Sequence, residues 1–460
     1  MGNPQYPLDA KSASKGDVAQ VQPTGIHEPR RRLGRRFSFS LITLSLGFWF
    51  ALTHLRNIYT PIRPLDILQE DAPTSLPDDV FVKDCASWFY SESPEHDYVA
   101  HTSLQLPIDS PHLFFASQGS ILGGTFHLVP SDHVSPYLDV HISTVAKHPQ
   151  VIDLLKVCSL GKEGGGLGIG LLAPHSVKWQ GYERVDVVVR IPKSPNGEML
   201  HINSFETNLP FINHEVGDLS NVVVFNKLRL GGAFSGVNVK SIAAVQAIVK
   251  VTHAPIVGSF NASDSLSLVT SSGPVSVTVN LFNDPETGRN TSLAIWTGAG
   301  PIDGTVNLFS HHHEGELQSQ AHALFNVSAY TSFSPLHLRF PTIAPNSVLT
   351  LVSQTAVGPH RVELHEAYEG TFSVSTGIFE TVDVKIREGE DVEDPEGRGR
   401  KRFVEFEKIA LGSAKGKVWW GDDEVLDSPD TSDDGEGDDD QEPVGSVEIK
   451  TGHGRAVLWL

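Results

Sequence analysis

The sequence predicts an all-β protein: a β-solenoid or stack of twisted-sheet repeats, with a β-sandwich as the alternative, behind one N-terminal transmembrane helix. Three observations predict it. A thirteen-residue phrase is written twice, apolar and polar residues alternate through most of the chain, and one uncharged apolar run stands near the N-terminus. At 460 residues there is length for one large domain or two ordinary ones.

Taken in order, residues 1–36 are rich in Pro, Ser and Gly and read as a disordered basic tail. The run "FSFSLITLSLGFWFALTHL", residues 37–55, contains no acid, Lys or Arg. At about 1.5 Å per residue it spans roughly 28 Å, the thickness of a bilayer core. Lys11, Lys15, Arg30, Arg31, Arg32, Arg35 and Arg36 precede it, whereas the twenty residues that follow hold only Arg56 and Arg63. That asymmetry keeps the N-terminus cytosolic and exports the rest, a type II single-pass signal-anchor layout. Residues 56–100 contain Pro and Asp and read as a stalk. Residues 101–250 are β-rich but show the repeat poorly, which suits a cap or a separate sandwich. Residues 251–460 carry the repeat, with an acidic loop over about 421–445.

The doubled phrase is "TSSGPVSVTVNLF" from Thr270 and "TGAGPIDGTVNLF" from Thr297. In the first copy Ser271 to Pro274 turn the chain, then Val275, Val277, Val279 and Leu281 line one face and Ser276, Thr278 and Asn280 the other. Period-two alternation marks a half-buried strand. Gly frees the turn, and Pro sits at a strand start where its missing N–H costs least. The second copy places Gly304 where Val277 stood, which predicts a bulge. Fainter copies begin at Val249, Leu349 and Phe372, and "IALGSAKGKVWW" from Ile409 matches "IKTGHGRAVLWL" from Ile449. Periods of 20–50 residues mean stacked units that bury their apolar faces on one another.

The pattern "LxLxTxxGPIxVxVxL" behind a membrane anchor resembles fungal proteins with an uncharacterised β-repeat domain. More distantly, it is similar to the adhesin-type β-repeat domains of bacteria. The resemblance covers roughly Leu104 to Ile386. It implies adhesion or surface display and supplies no catalytic residues.

Charge excludes one class of partner. The formal net charge is −20, and Asp422 to Glu442 alone hold twelve acids and no base. Such a chain lacks the cation surface that binds phosphate backbones, so no nucleic acid is expected. The two cysteines, Cys85 and Cys158, are too few for a disulfide framework. In an oxidising compartment they can form one bridge, and two separate thiols suit the sequence equally. Three sequons, at Asn261, Asn290 and Asn326, lie on the exported side in or beside predicted turns.

Chemical motifs are weak. "HHHEGE" from His311 offers His311, His313 and Glu314 to a metal, but neighbouring residues of an extended chain point to opposite faces, and an exposed loop is the better reading. "DTSDDGEGDDDQE" places Asp430, Ser432 and Asp434 as in a calcium loop, yet Gln441 stands where the bidentate Glu belongs. Weak calcium binding is the most that follows, and no cofactor is expected. "GKEGGGLGIG" from Gly161 reads as a flexible loop. Lys401-Arg402 matches a dibasic cleavage site, although pairing with the acids before it is the simpler reading. The sequence therefore predicts a glycosylated, membrane-anchored β-repeat protein that binds and does not catalyse, with cell-surface or wall glycans or other proteins as partners. The alternative is a lumenal ER or Golgi carbohydrate-active enzyme on a solenoid scaffold, marked by paired carboxylates on one sheet face.

Overall fold

In the computed structural model, residues 76–92, 98–119, 121, 123–174, 184–311, 322–377, 380–387, 393–421 and 445–460 are described. The expected transmembrane helix, the basic tail and the acidic loop lie outside them. Among the described residues no helix is long and apolar enough to cross a membrane.

The chain begins with β1 (Val80–Cys85), β2 (Phe89–Glu92), β3 (Tyr98–Pro107), β4 (Leu113–Gln118), β5 (Gly124–Val134) and β6 (Tyr137–Ala146). One short helix, α1 (Pro149–Leu154), leads to β7 (Lys156–Lys162), β8 (Gly166–Leu172) and β9 (Arg184–Lys193). Then come β10 (Leu200–Asn208), β11 (Asn213–Asp218), β12 (Val223–Gly231), β13 (Val237–Val251) and β14 (Ile256–Thr270). The doubled phrase supplies β15 (Val275–Asn283), β16 (Thr291–Thr297) and β17 (Ile302–Ser310). After them stand β18 (Ala323–Thr331), β19 (Leu336–Ile343), β20 (Ser347–Val357) and β21 (His360–Glu363). The last strands are β22 (Gly370–Ser375), β23 (Val382–Lys385), β24 (Lys401–Ala410), β25 (Ser413–Gly421), β26 (Gly445–His453) and β27 (Ala456–Trp459).

Pairing decides for the solenoid over a Greek-key sandwich. Val275 pairs in parallel with Ile302, Ile302 with Leu336 and Leu336 with His360. Leu266 pairs likewise with Leu293, Leu293 with Val327 and Val327 with Leu351. Each coil thus gives one strand to each of two parallel ladders. The first ladder runs through β10, β12, β16, β18 and β20, the second through β11, β15, β17, β19 and β21, and the long β13 and β14 serve both. Inward residues of both ladders merge into one buried cluster from Leu106 to Leu460.

The corner explains the repeated phrase. Thr270, Thr297, Thr331, Thr355 and Thr451 pair in register and are all buried. Each hydroxyl donates to a carbonyl of the preceding corner: Thr297 to Gly273 at 3.1 Å, Thr331 to Gly300 at 3.0 Å, Thr355 to Ser334 at 3.1 Å. Thr297 also accepts from the Gly300 N–H at 2.9 Å, so its own turn is closed by the same oxygen. Glycine is needed because corners stack backbone on backbone: a Cβ on Gly300 would lie 1.8 Å from the Gly273 carbonyl oxygen.

Several expectations are corrected. Gly304 makes no bulge; it pairs regularly with Val277, and its missing side chain leaves room for Leu338, whose Cδ2 would lie 2.9 Å from a Cβ. "IALGSAKGKVWW" is an antiparallel hairpin of β24 on β25, whereas "IKTGHGRAVLWL" is a true coil of β26 and β27. No seam stands at residue 250, since β13 runs through it and pairs with β14 over Val237 to Val251. The coils reach back to β4, and they are hard to see there because Phe126, Phe205 and Phe225 fill the core and the corner threonine is missing. Val251 stands opposite Thr270, and the buried Ser235 hydroxyl donates to the Leu209 and Pro210 carbonyls instead. The stalk does not extend to residue 100: residues 80–85, 89–92 and 98–100 are strand. "GKEGGGLGIG" forms the β7–β8 hairpin, not a loose loop.

Coil order departs from chain order at both ends. β26 lies between β20 and β22, and β27 between β21 and β23, all parallel. At the other end β4 lies between β8 and β10, and β5 between β9 and β11. Antiparallel strands then cover the ends: β7 and β1 beyond β8, β6, β3 and β2 beyond β9, and β25 and β24 beyond β22.

Two outcomes follow. Thr297→Val strands the buried Gly273 carbonyl and Gly300 N–H and should cost about 2 kcal/mol in denaturant unfolding, with Thr297→Ser largely sparing it. Deleting residues 445–460 removes the coil between two others; hydrogen exchange should then rise across 370–421 while β12 to β16 stay protected.

Candidate binding surface

Alternation puts every second residue of the second ladder outside, and the parallel register aligns them in rows. One row is Ser276, Asp303, His337 and Arg361, and the next is Thr278, Thr305, Arg339, Glu363 and Trp459. A third is an asparagine ladder: Asn280 Nδ2 donates to Asn261 Oδ1 at 2.8 Å, and Asn307 Nδ2 to Asn280 Oδ1 at 2.8 Å. In the fourth, Phe282 and Phe309 stack at 5.2 Å, and the exposed His311 ring stacks on Phe282, also at 5.2 Å.

The charged part of this face is a network. His337 Nε2 lies 2.8 Å from Glu363 Oε1, and its Nδ1 lies 3.6 Å from Asp303 Oδ1. Arg339 reaches Asp303 at 3.0 Å, and Arg361 reaches Glu363 at 2.7 Å. Arg361 and Lys385 also lie over the Trp459 ring, at 5.4 and 4.5 Å from its centroid. Asp303 and Glu363 are two carboxylates on this face, as a glycosidase would need, yet each already bonds an Arg and His337 stands between them.

A second polar cluster has the composition of a hydrolytic triad. Ser204 Oγ lies 2.8 Å from His112 Nδ1, and His112 Nε2 lies 3.3 Å from Glu206 Oε2. Glu206 is shared with Arg229 at 3.7 Å, and its pKa is lowered, first by the His112 contact. The adjoining cleft is lined by Phe114, His112, Lys162 and Glu206 but not by Ser204. The cluster ties β10, through Ser204 and Glu206, to His112 just before β4.

Of the residues singled out from sequence, only Cys85 and Cys158 are brought together among the described residues. His313, Glu314, Asp430, Ser432 and Asp434 lie outside the described residues, and the ring of His311 stacks on Phe282. Among the described residues no group of three or more His, Cys, Asp or Glu is placed to hold a metal. Of the sequons, Asn290 is exposed on the turn before β16; Asn261 and Asn326 sit in strand interiors and not in turns. Cys85 and Cys158 stand opposite each other on β1 and β7 and are joined by a disulfide. Lys401 and Arg402 are paired in the β24–β25 hairpin, and Arg400 just before them bonds Asp394 and Glu396, each at 3.0 Å. The row lattice leaves one trace in the sequence, "TVN" at Thr278 and again at Thr305.

No protein-family model matches the chain, and no curated protein matches it, so the fungal resemblance finds no counterpart. Solved structures similar to it include a "putative adhesin" from Bacteroides fragilis, 12% identical, with a TM-score of 0.30 over 57% of this chain and 96% of that one. Another, from Parabacteroides distasonis under the same description, is 13% identical with a TM-score of 0.24 over 57% and 93%. A "putative cell adhesion protein" from Clostridium sporogenes is 7% identical, with a TM-score of 0.16 over 78% and 97%. At such scores the likeness carries no functional weight, and the chain's own residues must supply the reading.

Two buried histidines set an acid limit on this scaffold. His214 and His360 occupy equivalent inward positions, each bonded through Nε2 to a hydroxyl seven residues earlier, Thr207 at 2.8 Å and Ser353 at 2.6 Å. Burial lowers both pKa values from 6.5 to about 4. The unfolded chain therefore takes up protons first, so stability is full above pH 6.5 and falls as pH drops from 6.5 to 4, by about 3 kcal/mol per ring. Unfolding free energy measured from pH 7.5 to 4 should show this slope, and His360→Gln should remove about half of it.

Proposed function

We propose that this chain is a type II single-pass membrane protein whose β-solenoid stands outside the cytosol and works by binding, in an adhesion or display role. The observation that carries the reading is the outer face of the second ladder. There polar and charged side chains repeat from strand to strand and pair with one another instead of surrounding a reaction centre. Such a face suits an extended partner, a cell-surface or wall glycan or another protein, met by hydrogen bonds and by the Trp459 cation–π group. Export is supported by the uncharged run 37–55, by the cations ahead of it, and by the Cys85–Cys158 bridge, a bond typical of oxidising compartments.

A C-terminal tag on the full chain, probed by surface labelling of intact cells, should be accessible, and a tag reached only after permeabilisation and never glycosylated would refute the orientation. The same chain, purified in detergent, should bind a glycan array or cell surfaces. Arg361→Glu on the second ladder should weaken that binding at least tenfold, about 1.4 kcal/mol, whereas Lys415→Glu on β25, the strand that covers the end of the first, should not. Equal effects of the two changes would rule this face out.

A further inference from the structure

We infer that the two faces of the solenoid divide their tasks: the outer face of the first ladder carries N-glycans at Asn290 and Asn326, and the face of the second ladder stays bare for binding. The inference rests on the export reading and deepens it.

Asn326 is exposed between buried Phe325 and Val327, so its amide stands on the outer face of β18. Its lateral neighbours are Ser292 and Thr350, and beyond them Ser265 and Ser446. A row of small hydroxyl residues on both sides gives a first sugar room at its base. Two positions along the strand the next row is again small: Ser267, Ala294, Ser328 and Val352. Two further on stand Trp296 and Tyr330, half-buried, with ring centroids 6.3 Å apart and planes within 11°. The Tyr330 hydroxyl is fixed by Ser332 Oγ at 3.1 Å.

Rows of smaller side chains thus separate Asn326 from the aromatic pair, a low stretch of the face that serves as a trough. Tyr330 is four residues from Asn326, about 13 Å at ~3.3 Å per residue. The core of an N-glycan spans that distance, and the C–H face of a pyranose packs on aromatic rings as other apolar surfaces do. The Asn326 glycan therefore lies in the trough and docks against Trp296 and Tyr330.

Asn290 precedes Ser292 by two residues, and Ser292 is the ladder partner of Asn326, so both glycans leave from the same end of the same ladder. Asn261 differs in face and in chemistry. It stands half-buried in the second ladder between Ala243 and Asn280, its carbonyl held by the Asn280 amide. Carbohydrate attached there would lie on the binding lattice.

The test is made on the full chain from a eukaryotic secretory host. Release of glycans by peptide N-glycanase in heavy-oxygen water, followed by peptide mass spectrometry, marks each occupied Asn as labelled Asp. The expected result is labelling at Asn290 and Asn326 and none at Asn261. In timed release from the native protein, Asn326 should be cleaved severalfold more slowly than Asn290, and Trp296→Leu or Tyr330→Ser should narrow the gap. Occupied Asn261 in most molecules, or bare Asn326 on a chain that reaches the surface, would overturn the division of faces. Equal native release rates would overturn docking in the trough. If all three sites are bare on a chain whose C-terminus is cytosolic, the export reading itself falls.

Discussion

A parallel coil satisfies its backbone only when another coil lies on each side of it. The end of a stack presents a row of unpaired N–H and C=O groups, a template for aggregation unless something covers it. Much of this structure can be read as an answer to that constraint. At the N-terminal end, antiparallel strands β7 and β1 close one ladder and β6, β3 and β2 close the other. At the C-terminal end β25 and β24 do the same for the first ladder. The disulfide sits at one of these covers, joining β1 to β7. A covalent link is most useful there, because an outer strand has a ladder on one side only and would otherwise open first.

The inserted coils belong to the same logic. The outermost coil at each end is laid down before its inner neighbour at the C-terminus, and after it at the N-terminus, so segments distant in sequence interlock. Leu351 pairs with Val447 and Leu113 with Phe205, contacts spanning roughly ninety residues. Long-range pairing of this kind makes folding slow but ties the ends into the stack. Between the ends, nearest-neighbour coils suffice, and there the corner threonines set the register. A hydroxyl that both donates to the previous corner and accepts from its own turn couples each coil's position to the last.

The proposed binding role falls to what this scaffold leaves outside. Inward positions are spoken for by packing, and outward positions of the second ladder are free to vary, so polar residues aligned by the register become a surface with a repeating spacing. The charged network around His337 and the asparagine ladder are products of alignment more than of any one motif. Two carboxylates on one face would be the mark of catalysis, but here they close on Arg and His partners.

Much was legible in one dimension. The alternation of Val275, Val277, Val279 and Leu281 and its return at Ile302, Val306 and Leu308 determined strands, inward faces and a stacked fold, because side-chain direction follows residue parity along a strand. The uncharged run 37–55 and its flanking arginines likewise state an expectation of topology by composition alone. Coil order was not legible: nothing local distinguishes "IKTGHGRAVLWL", which enters between two coils, from "IALGSAKGKVWW", which folds back as a hairpin. Nor was the pairing of Cys85 with Cys158, the meeting of Ser204 with His112, or the facing of Asp303 and Glu363 on His337. Alternation is written into each strand, but which strands become neighbours depends on burying every apolar face and pairing every edge at once, and that is decided only in three dimensions.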